Sequence, residues 1–372
     1  MTTSLVPESV YLSRISRAQE EMARTSVDAL ILSLGQDMPY LTGYLAMPLE
    51  RLTMLVLPKN GKASLIIPQL EAPRVQQMPN VFTLVPWGET EDPVRIADTL
   101  LGNAQSIAVG DQMWSRFLVD LLQHRPESHY VRSVVVMEAL RSRKDIAEIE
   151  ALVAAGAAAD RVAAQLQGGL IPLVGRTEAE VSADISARLI AEGHQKVNFA
   201  IVAAGENAAS PHHHPGDRVI RHGDIVLCDF GGTMNGYCSD ITRCVHLGEP
   251  PADIAQAYSV LLEAQAAGVN AGHVGTTCEN VDAVTRAIID KAGYGEYFVH
   301  RTGHGIGMEE HEDPYMVSGN TTLIAPGHAY SVEPGIYVPG KWGMRLEDIV
   351  VATADGPVAV NNANHQLVVL EQ

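Results

Sequence analysis

Helical and strand spacings of hydrophobic residues alternate through the first third of the chain. Leu12, Ile15, Ala18, Met22 and Ala23 recur three and four apart with charges between them, which predicts a helix over 12–25. The apolar run 27–32 predicts a strand. Residues 39–44, which include proline and glycine, read as a turn region. Runs 51–58 and 63–68 predict paired strands across Lys59-Asn60-Gly61. Runs 81–85 and 106–109 predict two more, with a helix over 93–101 between them. Such alternation is that of an α/β domain. Nothing in it looks catalytic, so a structural role is expected.

The pattern changes near residues 131–144. Val134-Val135-Val136 ends the first domain, and a long helix opening at Ala139 carries Ile146, Ile149 and Val153 toward Gly168-Gly169. A boundary between 1–136 and 137–372 follows. A second helix covers 178–192, with Gly193 as its stop. Strands are expected at 199–203 and in a hairpin over 225–245, then helices at 254–267 and 278–292, then more strands. This second part runs helix-helix-strands twice, which suggests an internal repeat.

The most informative interval is 225–351. Residues 225–230 read as a buried strand and 237–245 as its partner, with Gly231, Gly232, Asn235 and Gly236 between. A turn at Met234-Asn235 sets Asp229 directly opposite Asp240; a turn at Asn235-Gly236 makes them diagonal neighbours. Either register puts both carboxylates on one face, and a bulge would break this. Two buried carboxylates that close cannot both ionise cheaply unless a cation joins them. Glu333 and Glu347 repeat the arrangement across Pro339-Gly340-Lys341-Trp342-Gly343. Four carboxylates balance two divalent ions, with His304 as a fifth ligand type and room for one bridging hydroxide. That is the composition of a two-metal hydrolytic centre.

The frames around these residues are specific. They are Cys228-Asp229-Phe230-Gly231-Gly232, Ser239-Asp240-Ile241-Thr242-Arg243, His300-Arg301-Thr302-Gly303-His304-Gly305-Ile306-Gly307, His311-Glu312-Asp313-Pro314, Glu333-Pro334-Gly335-Ile336-Tyr337 and Arg345-Leu346-Glu347-Asp348. Together they resemble the signature set of the Xaa-Pro peptidases, prolidase (Xaa-Pro dipeptidase) and aminopeptidase P. A weaker N-terminal likeness extends the resemblance over nearly the whole chain. The resemblance implies an α+β protein: a pita-bread C-terminal catalytic domain preceded by a smaller α/β creatinase-type N-terminal domain with a structural and dimerising role. It implies two divalent ions per subunit, manganese first with cobalt or zinc as alternatives, held by Asp229, Asp240, His304, Glu333 and Glu347. Asp240 and Glu347 would bridge them. It further implies that Glu333 shuttles a proton to the leaving nitrogen, that His212 in Pro211-His212-His213-His214 stabilises the intermediate, and that His311 lines the proline pocket.

Beyond the resemblance, Arg345 lies two residues from Glu347 on the same strand face. It is expected to orient that carboxylate, to reach a substrate carboxylate, or to form a salt bridge to Asp240 or Glu347. His300 is either structural or a support to the site, and His213 and His214 read as loop residues. Tyr315, Tyr337, Phe298 and Trp342 are candidates for the walls of a proline pocket. Some prolidases carry an arginine directly after His-Glu-x-Pro; here the position is Tyr315, so the substrate carboxylate would need Arg345, a histidine or a partner subunit. Dipeptides are the favoured substrates, with longer Xaa-Pro peptides the alternative and, in another class, a non-catalytic pita-bread scaffold.

Composition narrows the partners. The net charge of −18 over 372 residues disfavours nucleic acid and anionic membranes. With no apolar run of about 18 residues and no basic, apolar leader at the N-terminus, a cytoplasmic protein is expected; the resemblance implies a homodimer acting on short peptides. Cys228, Cys238, Cys244 and Cys278 show no C-x-x-C spacing and read as buried free thiols.

Overall fold

The computed structural model describes residues 6–371. They form two compact units, one ending at Arg141 and the other beginning at Ser142. Among the described residues no helix is long and apolar enough to cross a membrane.

The first unit contains α1 (Glu8–Arg24), β1 (Ala29–Leu32), α2 (Asp37–Thr42), β2 (Met54–Pro58), β3 (Ala63–Pro68), β4 (Phe82–Trp87), α3 (Pro93–Leu101), β5 (Ser106–Val109), α4 (Ser115–His124), β6 (His129–Arg132) and α5 (Val134–Arg141). Its strands make one sheet in the order β4-β3-β2-β1-β5-β6. The buried stripe of α1 is Tyr11, Arg14, Ile15, Ala18 and Met22. Leu12 falls off that stripe and is exposed. Two expectations fail here for local reasons. The segment 39–44 is largely helical, because Pro39 sits in the first turn of α2, where its missing N–H costs nothing, and Gly43 stops the helix at φ 70°. Val134-Val135-Val136 opens a helix, since Val136, Met137 and Leu140 are spaced to bury one face. The helix expected from Ala139 is therefore two helices. The second, α6 (Ile146–Gln167), starts at Asp145, which forms a reciprocal capping box with Glu148. The division after Arg141 leaves α5 with the first unit.

The second unit continues with α7 (Glu178–Ala191), β7 (Lys196–Ala204), β8 (Ile225–Met234), β9 (Tyr237–Cys238), β10 (Ile241–Leu247), α8 (Ala252–Ala271) and α9 (Cys278–Lys291). It ends with β11 (Gly303–Gly305), β12 (Glu312–Met316), β13 (Ala329–Val332), β14 (Gly335–Val338), β15 (Trp342–Arg345), β16 (Asp348–Thr353), β17 (Gly356–Ala359) and β18 (Val368–Leu370). The internal repeat is visible in matching backbone bonds. Thr177 bridges Val219 and Thr277 bridges Leu323. Gly175 N–H donates to Ile220 at 2.9 Å and Gly275 N–H to Ile324 at 2.8 Å. Helices α7 and α9 then start one residue after the bridging threonine.

The β8–β9 turn settles the register. Thr233 pairs with Cys238 and Met234 with Tyr237, leaving Asn235-Gly236 as a two-residue turn. Both have positive φ, at 53° and 84°, the conformation that Asn-Gly tolerates in hairpins. The same register carries into β10, where Asp229 pairs with Thr242. Asp229 and Asp240 are thus diagonal neighbours. In the second half Val332 pairs with Asp348 and Gly335 with Arg345. One register spans the gap and sets Glu333 opposite Glu347.

Candidate metal centre

The two hairpins meet at a bridge between Thr242 and Glu347. With Ile201 opposite Asp229, a row of residues crosses the unit: Ile201, Asp229, Thr242, Glu347, Glu333. His304 joins from β11, in register with Ser331 of β13, whose Oγ accepts from its N–H at 2.9 Å. Gly303 and Gly305 flank it because strands crowd there. A Cβ on Gly303 would collide with the Ser331 carbonyl oxygen, and one on Gly305 with the Asp313 carbonyl oxygen.

Ile201, Asp229, His304, Glu333 and Glu347 line a cavity of about 500 Å³ together with Phe199, Pro211, His212, Asp240, His300, Arg301, Glu310, His311 and Arg345. Asp240, His304 and Glu347 each offer a ligand atom within 4.8 Å of the others. Glu333 Oε1 lies 3.2 Å from His304 Nε2, and Asp240 Oδ2 lies 3.7 Å from it. Asp229 stands slightly apart: its Oδ2 is held by Arg345. The Oδ1 atoms of Asp229 and Asp240 are buried with no hydrogen-bond partner among the described residues.

Charge and tautomer suit a cation. Burial, then Glu347 and Asp229, push the Asp240 carboxyl well above the ordinary range; burial, then Glu333 and Asp229, do the same to Glu347. Burial lowers His304 to about 4, so its ring is neutral at pH 7. Its Nδ1 lies 3.0 Å from the Gly305 carbonyl, which can only accept. The proton therefore sits on Nδ1, and the Nε2 lone pair faces the carboxylates. Buried acceptors without donors, carboxylates short of positive charge and one aimed imidazole form a donor set that fits divalent metal ions.

A supporting network surrounds the set. Thr242 Oγ1 donates to Glu347 at 2.6 Å and accepts from Arg345 Nε at 3.1 Å. Arg345 Nη1 donates to Tyr337 Oη at 2.8 Å and to Pro211 O at 3.4 Å. Its ion pair is with Asp229, not with Asp240 or Glu347 as the strand parity suggests; it reaches Glu347 only through Thr242. His300 belongs to the same network. Its Nδ1 donates to the Arg301 carbonyl at 2.7 Å, so its neutral Nε2 accepts from Tyr337, 2.9 Å away. Ser331 Oγ donates to Glu333 at 2.9 Å. His311 stacks near His304, ring centroids 3.9 Å apart, and burial holds it to about 4.

The aromatic residues expected as pocket walls sit elsewhere. Tyr337 is spent on Arg345 and His300, and Phe298 and Trp342 are buried in a hydrophobic core. Tyr315 lies beneath Arg301, whose guanidinium carbon is 4.3 Å from its ring centroid. The apolar lining comes instead from Phe199, Ile201 and Pro211. Extending the Asp229 register to the preceding strand finds Ile201 from the sequence. All four cysteines are buried free thiols, and burial pushes Cys238 and Cys244 up to about 12, so neither is a ready thiolate ligand.

An α+β chain with a carboxylate-rich metal site on paired hairpins is a metallohydrolase by architecture. The model of metallopeptidase family M24 matches residues 149–354, and that of the creatinase/prolidase N-terminal domain matches residues 14–143. The chain belongs to the M24 metallopeptidases, with the pita-bread fold that its neighbours share. It is 45% identical over 369 residues to the probable dipeptidase PepE of Mycobacterium tuberculosis, covering 97% of both chains. Among solved structures it is similar to dipeptidase PepE from Mycobacterium ulcerans (TM-score 0.91, 42% identity, 98% of this chain and 99% of that one). It is also similar to the prolidase from Thermococcus sibiricus (TM-score 0.92, 35% identity, 97% and 99%).

Proposed function

We propose that this metallopeptidase hydrolyses the Xaa-Pro bond of dipeptides, using two divalent ions, manganese first, held by Asp229, Asp240, His304, Glu333 and Glu347. The observation that carries the reading is the convergence of four carboxylates and one neutral imidazole around two donorless carboxylate oxygens. Relatives named dipeptidase and prolidase support the substrate class. When bound, such ions acidify a water into a nucleophile and polarise the scissile carbonyl.

The chain's own residues do the rest. Phe199, Ile201 and Pro211 offer apolar surface to the proline ring, whose tertiary amide lacks the N–H that backbone-gripping peptidases use. His212 donates a hydrogen bond to the developing oxyanion, and His311 lines the same space. Glu333 passes a proton to the leaving prolyl nitrogen, which is too basic to depart as an anion. Arg345 orients Asp229; with four acceptors already on its guanidinium, little of it is left for substrate.

The cation that meets the dipeptide carboxylate is Arg301. It lines the cavity, sits over the Tyr315 ring, and places Nη2 3.4 Å from His311 Nδ1. Neither contact neutralises its charge. A charge-assisted hydrogen bond contributes about 1.5–3 kcal/mol. Arg301→Ala is accordingly expected to raise KM for a Xaa-Pro dipeptide about tenfold to a hundredfold with kcat little changed, and to leave the C-terminally amidated dipeptide unaffected. Equal losses on the free and amidated forms would remove Arg301 from this role.

The function is tested by stripping the protein with a chelator, restoring it with manganese, and comparing a Xaa-Pro dipeptide with a Xaa-Pro-Yaa tripeptide. Manganese-dependent cleavage of the dipeptide is expected. Preference for the tripeptide would make the chain an Xaa-Pro aminopeptidase, and turnover of neither would sink the proline assignment.

A further inference from the structure

We propose that Glu178, remote from the metal-ligand residues in sequence, is a positioning residue that locks the His212 loop in its working conformation. The proposal rests on the role given to His212 above.

Glu178 is the first residue of α7 and is fully buried. The helix start does not need its carboxylate, since Thr177 and Glu180 already form a reciprocal capping box. Its carboxylate oxygens bond instead to the end of β7 and the connection from β7 to β8. Oε1 accepts from Ala204 N at 2.9 Å and from Asn207 Nδ2 at 3.1 Å. Oε2 lies 2.7 Å from His213 Nε2, 3.2 Å from Asn207 Nδ2 and 3.4 Å from Gly216 N. These donors bracket Pro211 and His212, which line the cavity. His213, expected to be an idle loop residue, is the anchor adjoining His212. On the cavity side Arg345 binds the Pro211 carbonyl, so the loop is held from both flanks.

The internal repeat supplies an independent control. Thr277 opens α9 as Thr177 opens α7, and the next residue is Cys278, equally buried. The backbone bonds match: Glu178 N–H donates to Arg218 and Cys278 N–H to Thr322. The fold therefore builds this helix start without a carboxylate. The acid appears only in the half whose following loop carries His212. A buried carboxylate is costly to bury and strong as an acceptor. Its five bonds to this one region convert that cost into local order.

The test is a double-mutant cycle on the manganese-loaded enzyme with a Xaa-Pro dipeptide. Glu178→Ala is expected to lower kcat about tenfold with KM nearly unchanged, and His212→Ala about a hundredfold. Combined, the two should lose no more than His212→Ala alone. Hydrogen exchange should quicken at residues 204–216 in Glu178→Ala and stay unchanged at 329–332. His213→Ala, which removes the partner from the less buried side, should reproduce both effects if Glu178→Ala folds poorly. Multiplicative losses in the double mutant, or unchanged exchange at 204–216, would overturn the proposal alone. Normal turnover in His212→Ala would overturn the assignment of His212 and this proposal with it.

Discussion

Glu347→Gln is expected to lower kcat/KM by at least about 10³-fold at saturating manganese, while making the chelated protein more heat-stable than chelated wild type. Both effects have one cause. Glu347 is buried beside Glu333 and Asp229, and its carboxyl is held well above the usual range, as is that of Asp240. Without a cation that crowding opposes folding; with one, the same charge is the binding energy. An amide keeps the volume, still accepts from Thr242, and removes the charge. The loss in rate follows from the scale of electrostatic stabilisation in such sites. The sign of the pH dependence follows too. A carboxyl with a raised folded-state pKa binds more protons folded than unfolded, so stability falls as pH rises. For chelated wild type that fall begins near the unfolded values of 3.8 and 4.5 and continues upward. Buried His304 and His311 act in the opposite sense below about pH 6.5, so the readout is the difference between chelated wild type and chelated Glu347→Gln from about pH 4 to about pH 8: the wild type should lose stability relative to the variant as pH rises, and this divergence should vanish with manganese bound. An unchanged slope in the variant would contradict the account.

Arg243→Met is expected to cost about 3–5 kcal/mol of stability, the range for stranding one partner of a buried ion pair. The guanidinium is wholly buried, and all five of its N–H groups are used. Nε donates to Asn364 O at 3.0 Å; Nη1 to Thr242 O at 3.0 Å and Glu347 O at 2.6 Å; Nη2 to Ala363 O at 3.0 Å and Asp348 Oδ1 at 2.7 Å. Two of those carbonyls, on Thr242 and Glu347, belong to the residues that join the hairpins. Activity should therefore fall even at temperatures where the variant stays folded. Adding Asp348→Asn should restore part of the stability, because the stranded charge is gone. Urea unfolding measures both steps. A change below about 1 kcal/mol would mean the junction is held by other contacts.

Much of the site is legible in the chain because ligand chemistry and hairpin register are local. Either turn within 234–236 puts Asp229 and Asp240 on one face, and the structure forms the one at Asn235-Gly236. What the pattern hides depends on partners far away in sequence. Arg243 looks like one residue of a motif, yet it bonds the carbonyls of Glu347 and Ala363, far along the chain. Strand parity points Arg345 at its own strand's carboxylate, but it pairs with Asp229 across the junction. Arg301 and Tyr315 come together only when β11 and β12 pair. In the first unit, β6 is half-exposed at a sheet edge and leaves no clear periodicity, whereas Phe117, Leu118, Leu121 and Leu122 of α4 do recur at helical spacing.

The measurement that bears most directly on the two-metal reading is a titration of chelator-stripped protein with manganese, following bound metal and Xaa-Pro dipeptide cleavage together. Activity is predicted to be absent in the stripped protein and to reach its plateau at two equivalents per chain, with Asp240→Ala failing to reach it at any concentration. Full activity at one equivalent, or turnover without metal, would contradict the centre described above.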